Sequence, residues 1–359
     1  MEVHTITTLQ AFLALAPEWQ RLWEQQEGST VFQHHGWLAA FIEAFCKKEK
    51  WLVLTAREAG ELTAVLPVWA DSKAGHWRLI GSPNADYQVL LGKEQVLVTL
   101  MRTLATHGVR TLLLEAMPGG KAAFESLARH GFGMVGDSSP VPCPHLELTP
   151  ARLEAVCRRG GMKDNLRRLA KIGPLRLRMI EGETERLAML ETLFEQHRRK
   201  WDATLGTSQF HDEATRDFYR HLCRAPGLAE MLHFSVLEAG EQVLACHFGF
   251  VCRDTFIYYK PSYDTAFKGG GMVMIGKLME EALRLGLSEF DFTRGSEPYK
   301  FEMATGVRHN HDAHVFFSAA ARWRFTTLRW LLRKVPRDAD GLAITTRLAR
   351  KVRSMVRGG

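Results

Sequence analysis

The sequence predicts an α/β protein in which two similar units, each a mixed sheet flanked by helices, follow one another along the chain. Three observations carry that prediction. The order of helical and strand-like periodicities in the first half recurs in the second. A two-stranded hairpin is read twice around the same turn tetrapeptide, Glu-Ala-Gly-Glu, from Glu58 and again from Glu238. A length of 359 residues, 46% hydrophobic and 24% charged, suffices for two ordinary soluble domains.

In the first unit, residues 1 to 145, helical periodicity runs from Leu9 to Trp23 with a break at Pro17, and again from Gly36 to Lys48 with Trp37, Phe41 and Phe45 on its apolar face. Trp51 to Arg57 and Leu62 to Trp69 are the first hairpin. The strand-like run at Trp77 then leads into a polar turn, Ser82 to Tyr87. Helix Lys93 to Thr106, strand Thr111 to Glu115, helix Lys121 to His130 and strand Phe132 to Val135 complete the unit. Pro140, Pro142 and Pro144 predict a rigid extended connection at its end.

The second unit, residues 146 to 318, repeats the order. Helices Ala151 to Arg159 and Met162 to Lys171 precede strand Leu175 to Ile180, helices Glu183 to Arg198 and His211 to Cys223, and three strands between Met231 and Lys260. Phe267-Lys-Gly-Gly-Gly then opens a helix through Met272, Ile275, Met279 and Leu283, and Glu289-Phe-Asp-Phe is a short apolar strand. His309, His311, Asp312 and His314 lack the spacing of a known zinc helix and read as a polar loop leading to a strand from Ala313, so no metal is expected. A third segment, 319 to 359, begins with a basic amphipathic helix to Val335.

Lys268, Gly269, Gly270 and Gly271 are the first candidate site. A strand opening into a glycine-preceded helix offers unpaired first-turn N–H groups and a favourable dipole to an anion, and glycine lets an oxygen approach the backbone. The spacing is neither the dinucleotide fingerprint nor the GxxxxGK[ST] loop. The first unit has no counterpart, so one unit is expected to hold the ligand while the other walls the second substrate.

Six cysteines without a CxxC pair read as buried free thiols, and no stretch approaches the roughly 18 apolar residues of a membrane span. Cytoplasmic residence is the expectation. From Arg322 onward eleven arginines and lysines meet only Asp338 and Asp340, which exceeds the whole net charge of +7, so the basicity belongs to the tail. Residues 319 to 335 therefore fit either packing on the body or peripheral contact with the inner face of an anionic membrane. Nucleic acid is a lesser competitor, since no sequence-reading motif accompanies the charge.

The hairpin, Phe256 to Lys260, Phe267 to Gly271 and above all Phe290-Asp-Phe-Thr-Arg-Gly-Ser-Glu-Pro-Tyr-Lys-Phe301 resemble the acyltransferase family named after the cellulose-biosynthesis protein CelD, within the GCN5-related N-acetyltransferase (GNAT) superfamily and related to the FemAB aminoacyl transferases. The resemblance spans roughly residues 30 to 317. It implies tandem acetyltransferase-like domains with acyl-CoA or acetyl-CoA as donor in the second, its diphosphate at Gly269 to Gly271. Thr265 to Gly271 departs from the superfamily's full diphosphate motif, so aminoacyl-tRNA, the donor of FemAB relatives, stays open.

Acyl transfer to an amine needs a held thioester, a proton acceptor and donors for the developing oxyanion. Backbone N–H groups around Tyr258 and Tyr259 supply the donors in this reading, and Glu297, Asp291 and His247 are the candidate bases. Asp291 fits equally a buried acid held by Arg294 or by backbone donors, and His247 a neutral core histidine. Asn84, Asp86, Tyr87, Trp201, Asp202, Arg294, Tyr299 and Lys300 are the acceptor-side candidates, with Arg294 and Lys300 also able to pair with the acids. The expected acceptor is an amine, such as an amino sugar or cell-envelope precursor. A non-catalytic glycan- or nucleic-acid-binding protein is the alternative of another class.

Overall fold

The computed structural model describes residues 1–136, 139–158, 161–203 and 206–333. Among the described residues, fourteen strands form one sheet. The first half contributes β1 (Glu2–Ile6), β2 (Trp51–Glu58), β3 (Glu61–Asp71), β4 (His76–Leu79), β5 (Leu91–Gly92), β6 (Thr111–Pro118) and β7 (Gly133–Gly136). The second contributes β8 (Val141–Glu147), β9 (Leu175–Met179), β10 (Leu232–Ala239), β11 (Gln242–Cys252), β12 (Thr255–Tyr263), β13 (Glu289–Asp291) and β14 (Gly306–Phe316). Their order is β1-β2-β3-β4-β6-β14-β8-β13-β12-β11-β10-β9, with β5 on β3 and β7 on β14.

Two pairs in this sheet are parallel, β4 with β6 and β12 with β13, and the rest are antiparallel. Each parallel pair follows a three-strand antiparallel run, so the repeat expected from sequence is present as two halves of a single sheet. They are joined because β14, last in the chain, inserts beside β6 of the first half, while β8 inserts beside β13 of the second. The proline segment is thus not a free connector but contains strand β8. Its prolines are tolerated because a residue's N–H and C=O point to the same side of a strand. On that side the ladder with β13 ends at Asp291, and the carbonyls of Pro144 and Pro142 accept from Phe292 N–H and Gly295 N–H at 3.1 and 3.0 Å.

The two Glu-Ala-Gly-Glu turns are one residue out of step. Glu58 pairs with Glu61, leaving Ala59 and Gly60 in the loop, whereas Ala239 pairs with Gln242, leaving Gly240 and Glu241. Identical letters therefore close the two hairpins differently.

Helices cover both faces. Helices His35–Phe45, Glu183–Asp202 and Glu213–Arg224 pack on one side of the second half around an aromatic core of Phe32, Trp37, Phe218, Tyr219, Phe248, Phe250 and Tyr259. Helix Gly270–Arg284 covers the other side with Val273, Leu278 and Met279 against Phe256, Tyr258 and Phe290. The polar loop expected at His309 to Asp312 is instead part of β14; alternation buries Asn310 and leaves its neighbours His309 and His311 outside the core. Among the described residues no group of three or more His, Cys, Asp or Glu is placed to hold a metal ion. Of the C-terminal extension, Ala319–Arg333 is helical, and 334–359 lie outside the described residues.

Candidate active site

The sheet opens where β12 and β13 part. Their parallel pairing runs from Thr255 opposite Glu289 to Ile257 opposite Asp291 and stops there. β12 also bulges at this point: Ile257 faces Phe250 and Lys260 faces Phe248 on β11, so Tyr258 and Tyr259 share Gly249. A bulge leaves one residue's backbone outside the ladder and increases the local twist. Gly249 is required because a Cβ there would lie 2.5 Å from the Ile257 carbonyl oxygen and run into the His247 ring.

On the other wall the chain leaves β13 through two left-handed residues, Thr293 (φ 58°) and Gly295 (φ 141°). The proline carbonyls of β8 hold this turn, and the Thr293 hydroxyl donates to the Tyr258 carbonyl at 3.4 Å across the opening. Gly295 holds a φ that favours glycine, and a Cβ there would displace the tips of the Glu297 and Lys300 side chains.

Beyond Tyr263 the chain reaches the glycine turn. Gly269 takes φ 90°, and the helix begins at Gly270 with no acidic residue in its first turn. Arg168, on helix Met162–Leu169, donates to the Lys268 carbonyl at 3.0 Å, and Asn165 packs where a Gly269 side chain would stand. The Lys268 side chain is exposed.

The first half's polar turn forms the third wall. Tyr259 Oη donates to the Asn84 carbonyl at 2.8 Å, and Asn310 Nδ2 donates to the Asp86 carbonyl at 2.7 Å. Arg294 reaches across to the Pro83 carbonyl at 2.6 Å and to Asp86 Oδ1 at 2.7 Å. Tyr87 Oη donates to Asp291 Oδ1 at 2.8 Å. Three acceptor-side residues chosen from sequence, Asn84, Asp86 and Tyr87, thus lie against Tyr259, Arg294 and Asp291.

Of the three candidate bases, His247 is corrected: it is fully buried, stacks on Tyr258 with ring centroids 4.8 Å apart, and has no hydrogen-bond partner for either ring nitrogen. Burial, then the neighbouring His233, holds it well below the usual histidine range, so it is a neutral core residue. Asp291 is held by Tyr87, by the Thr293 N–H at 2.7 Å and by Arg308 at 3.3 Å. Of the two kinds of partner expected for it, the backbone donor is present as Thr293 N–H, whereas Arg294 pairs with Asp86. Burial lifts Asp291 to about 6 against the opposing pull of Arg308 and Tyr87, and the same burial, then Asp291, pushes Tyr87 well above the usual phenol range. Glu297 stands just before the short helix Pro298–Met303, its side chain half exposed, making no capping bond and lying 3.1 Å from Lys300 Nζ. Lys300 itself is buried and donates to the Arg294 carbonyl at 2.8 Å.

Tyr299 packs on the core beside Tyr258, and burial followed by Glu297 raises its hydroxyl. Trp201 is 41% exposed and stacks on His197, whereas Asp202 is engaged by His211 at 2.9 Å. Sequence reasoning missed Gly249, Thr293, Arg308 and Lys260. The bulge that sets Gly249 and Lys260 depends on register between strands, which one strand's sequence does not carry; Thr293 and Arg308 had only their proximity to Asp291 in the fold to mark them.

Residues 157–301 match the family model of an acetyltransferase (GNAT) domain. That stretch, less than half of the chain, is similar to a GNAT domain. Across the chain, the structure resembles that of FemX, with a TM-score of 0.61 at 10% identity over 90% of this chain and 99% of the other. A conserved protein of unknown function from Bacteroides thetaiotaomicron aligns at a TM-score of 0.54 and 13% identity, covering 88% of this chain and all of that one. L-PGS from Bacillus licheniformis aligns at 0.53 and 10%, covering 89% and 97%. At these identities the likeness concerns the fold. No curated protein sequence matches the chain. Within residues 157–301 the bulge of β12 and the glycine turn follow one another along the chain.

Proposed function

We propose that the chain is an N-acyltransferase that moves an acyl group from acyl-CoA to an amine acceptor by direct attack. The observation that carries this reading is the opening itself: β12 parts from β13 at a bulge, and the next element begins a helix at a glycine turn free of acidic residues. A diphosphate fits the helix start, where Lys268 and the first-turn N–H groups are positive. The thioester arm then runs between the strands, and its carbonyl meets backbone donors at Tyr258 and Tyr259 as negative charge develops on oxygen.

In this reading the acceptor amine enters from the side walled by Asn84, Asp86 and Arg294. Its nitrogen attacks the thioester carbon, the tetrahedral intermediate expels CoA thiolate, and the amine proton passes to Glu297, the acid of this cluster with the most open carboxylate. Arg294 and Tyr87 position the walls rather than react. Direct attack is favoured because Cys46, Cys143, Cys223, Cys246 and Cys252 are buried, with burial pushing Cys143, for one, up to about 12. The CelD-like acyltransferases resembled by residues 290–301 suggest an amino sugar or another cell-envelope amine as acceptor, and the residence we propose is cytoplasmic.

Calorimetric titration with acetyl-CoA and with free CoA tests the donor. Two variants accompany it. Lys268→Glu changes an exposed side chain at the turn. Gly270→Val obstructs the helix start at a position where a Cβ meets nothing nearer than 3.4 Å. Saturable binding weakened at least about tenfold by both variants supports the reading. Absence of CoA binding in folded wild-type protein overturns it and favours the aminoacyl-tRNA donor.

A further inference from the structure

Of the cations near the β12 bulge, Lys260 has no ion pair among the described residues. The bulge at Tyr258 and Tyr259 turns it to the face of Phe248, which is the face covered by helix Glu183–Asp202 and not the one covered by the glycine-turn helix Gly270–Arg284. Its Nζ sits 5.1 Å from the centre of the Tyr259 ring. Three cations meet at this end of the opening. Arg294 is matched by Asp86 at 2.7 Å and Lys300 by Glu297 at 3.1 Å. Among the described residues no carboxylate lies within ion-pair distance of Lys260.

The rest of the rim does not supply one. Lys200, one turn beyond Gln196 on the covering helix, lies 4.4 Å over the Tyr263 ring and adds positive charge. Asp202 is taken by His211. His197 donates or accepts at Ser208 at 2.8 Å, and burial, then Lys260 and Lys200, hold it down to about 3, so it is neutral. Burial also lowers Lys260 from the usual lysine range, with Asp86 and Glu297 opposing and Arg294 and Lys300 adding to the effect. An incompletely matched cation in a desolvated site is costly until an anion joins it.

We propose that the acceptor carries an anionic group, carboxylate or phosphate, and that Lys260 is its counter-charge. This rests on the transfer reading above and adds to it the substrate class: an amine with a negative substituent, entering on the face opposite the donor's diphosphate. Lys260 is an acceptor-binding residue here and takes no part in proton transfer.

The test is differential labelling of Lys260 with trinitrobenzenesulfonate, read by mass spectrometry in the full chain, with and without CoA. Two acceptor pairs are compared: glucosamine with glucosamine 6-phosphate, and alanine methyl ester with alanine. Lys200 and Lys268 are internal controls. The anionic member of at least one pair should slow labelling of Lys260 roughly tenfold or more while its neutral counterpart does not, as expected for one charge-assisted contact, and which pair responds separates phosphate from carboxylate. With acetyl-CoA, kcat/KM should favour that member by about 10- to 100-fold, mainly through KM, a preference lost in Lys260→Met and partly kept in Lys260→Arg. Equal labelling with both members of both pairs overturns the proposal. So does full protection by CoA alone, which assigns the charge to the donor, or a Lys260→Met variant that loses kcat equally for both members of a pair. Because labelling is also run without CoA, a protein that fails to bind CoA refutes the donor reading separately.

Discussion

The two halves of the sheet reach the same junction and treat it in opposite ways. In the first half, β4 runs parallel to β6 through Trp77 opposite Leu112 and Arg78 opposite Leu113, the counterpart of β12 and β13. Arg78 then meets Glu115 at 2.7 Å and Asp71 at 3.0 Å, and Ser82 donates to Glu115, so the cation of that junction is matched by two carboxylates. The helix that follows, Glu94–Thr106, starts with an acid in its first turn, and that carboxylate also engages Ser126 and His130. In the second half the corresponding helix starts with glycines and no acid. The difference teaches that, on the proposed reading, an anion site depends as much on groups left out as on groups put in: the helix dipole faces an acid in one half and none in the other.

Closing the first junction is structural, so breaking it should cost stability and leave ligand binding alone. Arg78→Met strands two acids with side chains 14% and 18% exposed and should lower unfolding free energy by about 3 to 5 kcal/mol in a denaturant titration, with CoA affinity unchanged. A loss of CoA affinity at constant stability would mean that the first half shares the donor site. In the second junction the effect should reverse. Glu297→Gln should reduce kcat by about 100-fold with little change in CoA affinity or in thermal midpoint, measured by steady-state kinetics and thermal unfolding.

Gly295→Ala should sit between these cases. The residue has φ 141° and its Cβ would press on Glu297 and Lys300, so stability should fall by about 1 to 3 kcal/mol together with kcat. Normal kcat in the variant would show that the turn does not set the position of Glu297. The smallest effect concerns pH. His247, His233 (about 4), His34 (about 4) and His197 (about 3) are all lowered first by burial, so their stability contribution is present above the unfolded histidine value near 6.5 and is lost as pH falls. Asp291, raised to about 6 by burial, contributes in the opposite sense: its share is full below its unfolded value and disappears as pH rises through about 6. Four histidines outweigh one carboxyl, so stability should fall between about pH 6 and 4. Asp291→Asn should steepen that fall by up to about 1.4 kcal/mol per pH unit, readable from denaturation midpoints.

Much of this contrast was legible in the sequence because it rests on local chemistry. The glycine turn, the polar turn Ser82 to Tyr87 and the stretch from Asp291 to Lys300 stand out by residue type alone, and hydrophobic period located most helices and strands, but not β1, β5, β8 or helix Pro298–Met303. What escaped depends on pairing between distant segments. The prolines before Pro144 read as a connector because a single strand does not disclose which side its missing N–H would face. The histidine-rich run from His309 read as a loop because its alternation is masked by polar residues on an inner strand whose burial comes from β6 and β8. Arg294 was matched to Asp291, its near neighbour in sequence, whereas the fold offers it Asp86 from the other half. Lys260 looked like the end of a strand until the bulge gave it a face.

Amide hydrogen exchange with and without acetyl-CoA compares the two junctions in one experiment. Slower exchange confined to Tyr258–Tyr263 and Gly269–Val273, with Arg78–Ser82 and Lys93–Leu97 unchanged, is the expected result for a donor site made only in the second half. Protection of the first junction, or of neither despite saturating ligand, would contradict it.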